Sequence, residues 1–230
     1  MNKYFLLQNK CKTLLVNYID TKNFKKYSDK YFNGGKLIDI GCGTKPHENY
    51  LSDKVDLHVG VDHDISLHGQ SNVDISGTAY NIPVNDGEFD YALCNAVLEH
   101  LEEPGDAIKE CNRVLKQNGI AIYTVPFFWH LHEEPRDFFR YTKFGLKYLF
   151  EKEGFDIIEL KPVSGFWIMS STMLVYYLDR FNVSIIKWTG IITIINLLIQ
   201  LLAFTLDKIK IKTVVGEEWA IMYTIIAKKK

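Results

Sequence analysis

A chain of 230 residues, 47% hydrophobic and 24% charged, has the length and apolar content of one sizeable α/β domain and is short for two. Its formal net charge of −1 lacks the basic excess of a dedicated nucleic-acid binder. The four cysteines, Cys11, Cys42, Cys94 and Cys111, fall at irregular spacings with no CxxC pair, so they point to buried thiols in a reducing compartment rather than to disulfides or thiolate metal ligands.

In chain order, Met1 to Asp20 interleaves Lys3, Lys10 and Lys12 with apolar residues and reads as an amphipathic helix packed on the domain. It lacks the apolar core and cleavage site of a secretory signal, so a cytoplasmic location is expected. Lys36 to Ile40 reads as a buried strand, with Gly41-Cys42-Gly43 as the turn into a helix. Val59 to Asp62 is a second strand, and Phe89 to Cys94 a third after the turn-like Asn85-Asp86-Gly87. Ala107 to Lys116 has helical spacing and should end near Gly119. Ile120 to Val125 is a strand stopped by Pro126. Lys143 to Glu153 reads as a helix capped by Thr142 and stopped at Gly154. Phe155 to Leu160 and Trp219 to Ala227 complete the strands. Strands alternating with helices predict a largely parallel sheet with helices on both faces. Ligands then sit at the carboxyl ends of the strands, where the glycine turn lies.

Glycines let a ligand approach the backbone closely, and a helix starting beyond them offers N–H groups to an anion. Asp62, about twenty residues on, stands where nucleotide-type sites place the acid for ribose hydroxyls. A dinucleotide site requires a third glycine three residues after Gly43, and Pro46 occupies that position.

In these segments the chain resembles the class I S-adenosylmethionine-dependent methyltransferases. The pieces "LIDIGCGTKP", "VGVDHD" and "VDISGTAYNIPVNDGEFDYALCNAVLEHLEEPGDAIKECNRVLKQNGIAIYTVP" follow in the family's order, covering roughly Lys36 to Pro126. The resemblance implies a Rossmann-like, doubly wound, mostly parallel seven-stranded sheet with an antiparallel last strand. It implies S-adenosyl-L-methionine as cofactor. Asp39 and the backbone of Gly41, Cys42 and Gly43 would face its methionine part, and Asp62 its ribose. Asp74 and the Ile75 backbone would take the adenine, and Asn95 would lie under the methionine moiety. Some family members bind Mg²⁺ through a Glu-x-x-Glu-His run ending at the position of Glu99-His100. Here Ala96 replaces the first acid, and a hard divalent ion needs several oxygen ligands, so no metal is expected and His100 is read as settling the loop.

An alcohol acceptor must lose a proton as it attacks, so a positioned base is useful. The segment "FFWHLHEEPRDFFRYTKFGL" after Pro126 gathers His130, His132, Arg136, Asp137 and Arg140 among aromatics, as in a sugar-ring or amphiphile site. His132 is the favoured base, with His130 and Asp137 as rivals. An Asp137–Arg140 pair that merely shapes the loop is the competing reading. The order His132, Pro135, Asp137, Arg140, Tyr141, Thr142 also resembles a methyltransferase branch associated with bacterial surface glycans. It implies O-methylation of a sugar or lipid-linked glycan intermediate.

Residues 166–212 form an apolar insert before the last strand, uncharged from Trp188 to Leu206. By length the second apolar stretch approaches a span of about 20 residues. A single crossing would separate strands that belong to one sheet. Asn196 and Gln200, four apart, place amides on one face, as on an interfacial or docked helix. A cap over the substrate cleft, a homodimer interface and contact with the inner membrane surface remain open. The expected organisation is a single domain: an N-terminal helical segment 1–33, a cofactor-binding core 34–165, the insert 166–212, and the last strand with a basic tail, 213–230. The rival classes are a nicotinamide-dependent oxidoreductase and a non-catalytic cofactor-binding module regulating a membrane partner.

Overall fold

The computed structural model describes residues 3–64, 71–181, 190–208 and 218–230, with side chains from residue 11 onward. The expected readings at Trp188 and at the boundary near residue 212 lie outside these residues. The chain divides into two compact units, a sheet unit of residues 25–127, 131–161 and 223–230 and a helical unit of 1–24, 128–130 and 162–222.

In the sheet unit the strands are β1 (Lys36–Ile40), β2 (Leu57–Asp62), β3 (Ile75–Ser76), β4 (Phe89–Asn95), β5 (Leu115–Pro126), β6 (Phe155–Pro162) and β7 (Met222–Lys229). They lie in the order β3-β2-β1-β4-β5-β7-β6. The pairs β1–β2, β1–β4, β2–β3 and β4–β5 are parallel, and β7 runs antiparallel to its neighbours. The switch in strand order falls between β1 and β4, so their carboxyl ends open a crevice there. Leu37, Ile38, Ala92 and Ala121 are fully buried, because central parallel strands are covered on both faces.

Helix α1 (Lys3–Tyr31) continues well past Asp20, since Phe24 and Tyr27 recur at helical spacing and are buried. The helix expected directly after the glycine turn is one short turn, α2 (Glu48–Leu51). Helix α3 (Pro104–Val114) ends at Val114, not near Gly119. Strand β5 already begins at Leu115, and its pairing with β4 shifts register between Phe89 and Tyr91. Asn118 at φ 66° belongs to that irregularity, and a Cβ on Gly119 would lie 2.9 Å from the Lys116 carbonyl oxygen. Helix α4 (Lys143–Lys152) starts as expected, with Thr142 Oγ1 accepting from the Gly145 N–H at 3.1 Å. Gly154, at φ 85°, stops it.

The helical unit holds the start of α1 with α5 (Phe166–Asp179) and α6 (Ile191–Lys208). Helix α6 turns its amides inward. Asn196 and Gln200 are buried, and Gln200 donates to the Cys11 carbonyl and accepts from the Leu15 N–H, both at 3.0 Å. Asp207, near the end of α6, accepts from the Gly165 and Trp167 N–H groups at the start of α5, at 3.0 and 3.2 Å. The opposite face of α6 exposes Ile191, Ile194, Ile195, Leu198, Leu201 and Leu202. Soluble helices bury such a stripe.

Candidate active site

The carboxyl ends of β1 and β2 are tied together by the glycine turn. The Gly41 and Cys42 N–H groups donate to the Val61 carbonyl at 2.8 and 3.1 Å. The Gly43 N–H donates to Asp62 Oδ2 at 2.9 Å, and the other oxygen of Asp62 accepts from the His63 N–H at 2.8 Å. Asp62 is therefore a buried acid held against the turn, at the position expected of it. Gly41 sits at φ 71°, and a Cβ there would fall 2.5 Å from Val97 Cγ2. Asp39 is buried one residue before Ile40, its Oδ2 lying 3.0 Å from His58 Nε2. Burial, reinforced by Asp39 and Asp62, pushes the Cys42 thiol up to about 12.

Asp74 accepts from the Gly60 N–H at 2.7 Å and from the ammonium of Lys45. Burial opposes its ionisation, but those two donors prevail and its carboxyl lies below the ordinary value. Lys45 is itself buried, so the expected adenine acceptor is one half of an ion pair inside the turn region. Nothing in the sequence marks Lys45, because lysines are usually exposed. Gly60 makes room for that pair: a Cβ there would collide with Lys45 Cε and lie 2.6 Å from Cys42 Sγ. Ile75 pairs with Val61 in the short edge strand, and Asn95 ends β4 opposite Thr124.

Beyond Asn95 the chain turns sharply, with Ala96 at φ 53°, into a 3-10 turn at Leu98–His100. This turn anchors the segment after Pro126. The Phe138 and Phe139 N–H groups donate to the Glu99 carbonyl at 2.9 and 3.2 Å, and Tyr141 Oη donates to the Leu98 carbonyl at 2.9 Å. His100 Nδ1 is 2.6 Å from the Arg136 carbonyl oxygen. His132 and His100 stand edge to face, 4.7 Å between ring centres. Asp137 is gripped by Arg140 through two bonds of 2.6 and 2.7 Å and accepts from the His132 N–H at 3.0 Å. Arg140, followed by the other donors, holds the Asp137 carboxyl far below its usual range. Asp137 is thus a poor proton acceptor, and the expected Asp137–Arg140 pair exists.

His132 Nδ1 lies 3.3 Å from Asp137 Oδ2 and Nε2 lies 4.0 Å from Glu99 Oε1. Burial outweighs Asp137 and lowers the imidazole below its ordinary value, which keeps the ring neutral near pH 7. Glu99 is 1% exposed, and burial raises its carboxyl to about 8. The sequence reads His100 as settling the loop and gives Glu99 no role. Their approach to His132 depends on a helix and a strand folding between them. The remaining candidate, His130, belongs to the helical unit, where its ring lies 4.6 Å from Tyr176 and 5.1 Å from Trp129.

Residues 38–123 match the family described as methyltransferase domain. A demethylmenaquinone methyltransferase of Staphylococcus haemolyticus (strain JCSC1435) is 24% identical over 209 residues, covering 71% of this chain and 85% of its own. Among solved structures, a SAM-dependent methyltransferase from Archaeoglobus fulgidus superimposes with a TM-score of 0.62 at 18% identity, covering 99% of this chain and all of its own. A Haemonchus contortus phosphoethanolamine N-methyltransferase 2 in complex with S-adenosyl-L-methionine superimposes with a TM-score of 0.53 at 16% identity, covering 90% and 52%. The fold, the enzyme class and the cofactor expected from the sequence are borne out. The methyltransferase domain spans the strands and turns that build the crevice at the β1–β4 switch point.

Proposed function

We propose that this S-adenosylmethionine-dependent methyltransferase O-methylates a sugar or lipid-linked glycan intermediate at the inner face of the membrane. The observation that carries this reading is the continuity of the site: Val97 closes on Gly41, and two residues later Glu99 holds the aromatic segment that bears His132. Asp39, the Gly41–Gly43 backbone and Asp62 are the groups we assign to the methionine and ribose parts of the cofactor. Asp62 suits this, since it is fixed at the turn by two N–H donors. Asp74 and Ile75 we assign to the adenine edge, with Lys45 setting the position of Asp74. Asn95, at the end of β4, we assign to the floor beneath the methionine part.

The cofactor supplies an electrophilic methyl group on a sulfonium, so the protein's task is alignment and exclusion of water. In ideal cases this is worth about 7–11 kcal/mol. On the acceptor side we assign the acceptor's oxygen to His132, whose neutral ring is oriented by Asp137 and Arg140. The outward stripe of α6 we assign to the membrane surface, which receives a lipid-linked acceptor. Lys187, Lys208, Lys210 and Lys212 flank that stripe in sequence, and each basic group near an anionic surface contributes about 1 kcal/mol.

The experiment is incubation with methyl-labelled S-adenosylmethionine and fractionated glycans and lipids of a bacterial cell. Label in a base-stable methyl ether of a sugar supports the reading. A second reading, transfer to a demethylmenaquinone-like ring, is favoured by the S. haemolyticus relative. Label confined to a quinone fraction establishes that reading and overturns the first.

A further inference from the structure

We propose that Glu99, His100 and His132 form a binding site for a transition-metal dication of the Zn²⁺ type. Their ligand atoms lie within 4.8 Å of one another. Glu99 Oε1 is 3.8 Å from His100 Nε2 and 4.0 Å from His132 Nε2. Two ligands each about 2.0–2.2 Å from one ion stand at most about 4.3 Å apart, and about 3.4 Å apart in a tetrahedral site. Side-chain rotations that shorten the two Glu99 distances by about 0.4–0.6 Å and bring the two imidazoles, up to 4.8 Å apart, about 1.4 Å closer would close the set. Glu133 Oε2, 3.7 Å from His100 Nε2, supplies a further oxygen beside the same atoms.

Two independent features mark these groups as ligands. The first is bracing. His100 Nδ1 faces the Arg136 carbonyl oxygen, and His132 Nδ1 faces the Asp137 carboxylate, which Arg140 holds in place. The His100 ring thus turns Nε2 toward Glu99 while an acceptor occupies its other side, as metal-ligating imidazoles require. The His132 ring turns Nε2 the same way with Asp137 Oδ2 3.3 Å from its Nδ1, an ion-pair distance rather than a formed hydrogen bond. The second is the state of Glu99. It is 1% exposed, and its Oε2 has no hydrogen-bond partner among the described residues. A buried carboxyl left with an unpartnered oxygen is unusual, and a cation in this cluster would compensate its charge once it ionises.

The donor set selects the ion. Two imidazoles and one carboxylate suit Zn²⁺ or Fe²⁺, whereas Mg²⁺ and Ca²⁺ call for oxygens throughout. The expectation of no metal considered a hard ion and an acid missing at Ala96. The nitrogen donor from His132 arrives through the fold instead. The role of the ion rests on the proposed O-methylation: held by Glu99, His100 and His132, it would supply Lewis acidity that eases loss of the proton from an acceptor hydroxyl. With the ion bound, His132 would serve the acceptor's oxygen through the ion it ligates, which keeps its place at that oxygen.

The test is titration of the chelator-stripped full chain with Co²⁺, followed by visible absorption, and with Zn²⁺, followed by calorimetry. One equivalent should bind. Glu99→Gln, which keeps the shape of the side chain, and His100→Ala should each weaken binding more than about 10-fold, and Asp137→Asn by about 10-fold. In the unmutated chain, Zn²⁺ should protect His100 and His132 from acylation by diethylpyrocarbonate. Absence of binding, affinity undiminished in Glu99→Gln, or labelling unaffected by Zn²⁺ overturns the site. S-adenosylmethionine binding is measured on the same samples. Cofactor bound without metal sinks this site alone, and metal bound without cofactor sinks the methyltransferase reading alone.

Discussion

Replacing Gly41 by alanine tests how the turn after β1 is built. At φ 71° an L-residue pays about 1–2 kcal/mol for the left-handed backbone. The new Cβ would also lie 2.5 and 2.8 Å from the two methyl carbons of Val97, an overlap of the kind that costs about 1–3 kcal/mol. The sum, about 2–5 kcal/mol, is a large share of the roughly 5–15 kcal/mol that holds a domain together. Val97→Ala removes the two closest carbons and leaves its Cβ 3.2 Å away, so in the double variant most of the steric part is relieved and the backbone part stays. Urea unfolding followed by far-UV circular dichroism of the four proteins gives a coupling energy of about 1–3 kcal/mol. S-adenosylmethionine affinity should recover in parallel with stability. Additive effects, or a Gly41→Ala variant within about 0.5 kcal/mol of the parent, would refute the reasoning.

Three further outcomes follow from the same structure. His132→Ala should abolish turnover while S-adenosylmethionine affinity, measured by calorimetry, stays within about two-fold; unchanged turnover removes His132 from the chemistry. Burial raises the Cys42 and Cys111 thiols to about 12 and Cys94 well above its usual value, so thiolate at pH 8 is on the order of one part in ten thousand or less. Iodoacetamide should then modify only Cys11 in the native protein and all four cysteines in denaturant, and rapid native labelling of Cys42 contradicts this. Finally, Leu198→Lys with Leu201→Lys should stop the chain floating with anionic liposomes while leaving cofactor binding intact; flotation of neither protein defeats the membrane assignment.

The parts of the fold legible in the sequence are those written in local physics. Leu37, Ile38 and Ile40 of β1 are apolar because a central strand is covered on both sides. Thr142 and Gly154 bracket α4 because one supplies a capping oxygen and the other a positive φ. Legibility fails where the partner is distant. Lys45 is buried because Asp74 and the space at Gly60 receive it, and no pattern around residue 45 announces that. The two-residue strand β3 is too short to show alternation and exists by pairing with β2. Gly119 reads as a helix stop, yet the chain enters β5 four residues earlier, where the register break absorbs the glycine. At the site, the glycine turn and Asp62 are legible through their spacing. The approach of Glu99 to His132 is not, since α3 and the whole of β5 intervene. In α6 the amides at Asn196 and Gln200 signal a special face. Only the fold shows that this face points inward, leaving the apolar one outside.

The most direct measurement is calorimetric titration of the chain with S-adenosylmethionine, beside Asp62→Ala and an NADH control. The account predicts one equivalent of S-adenosylmethionine bound to the parent. It predicts affinity weakened at least ten-fold in Asp62→Ala, which loses the carboxylate that fixes Gly43, and no tight binding of NADH. Equal affinity in parent and variant, or tight NADH binding in place of S-adenosylmethionine, would contradict it.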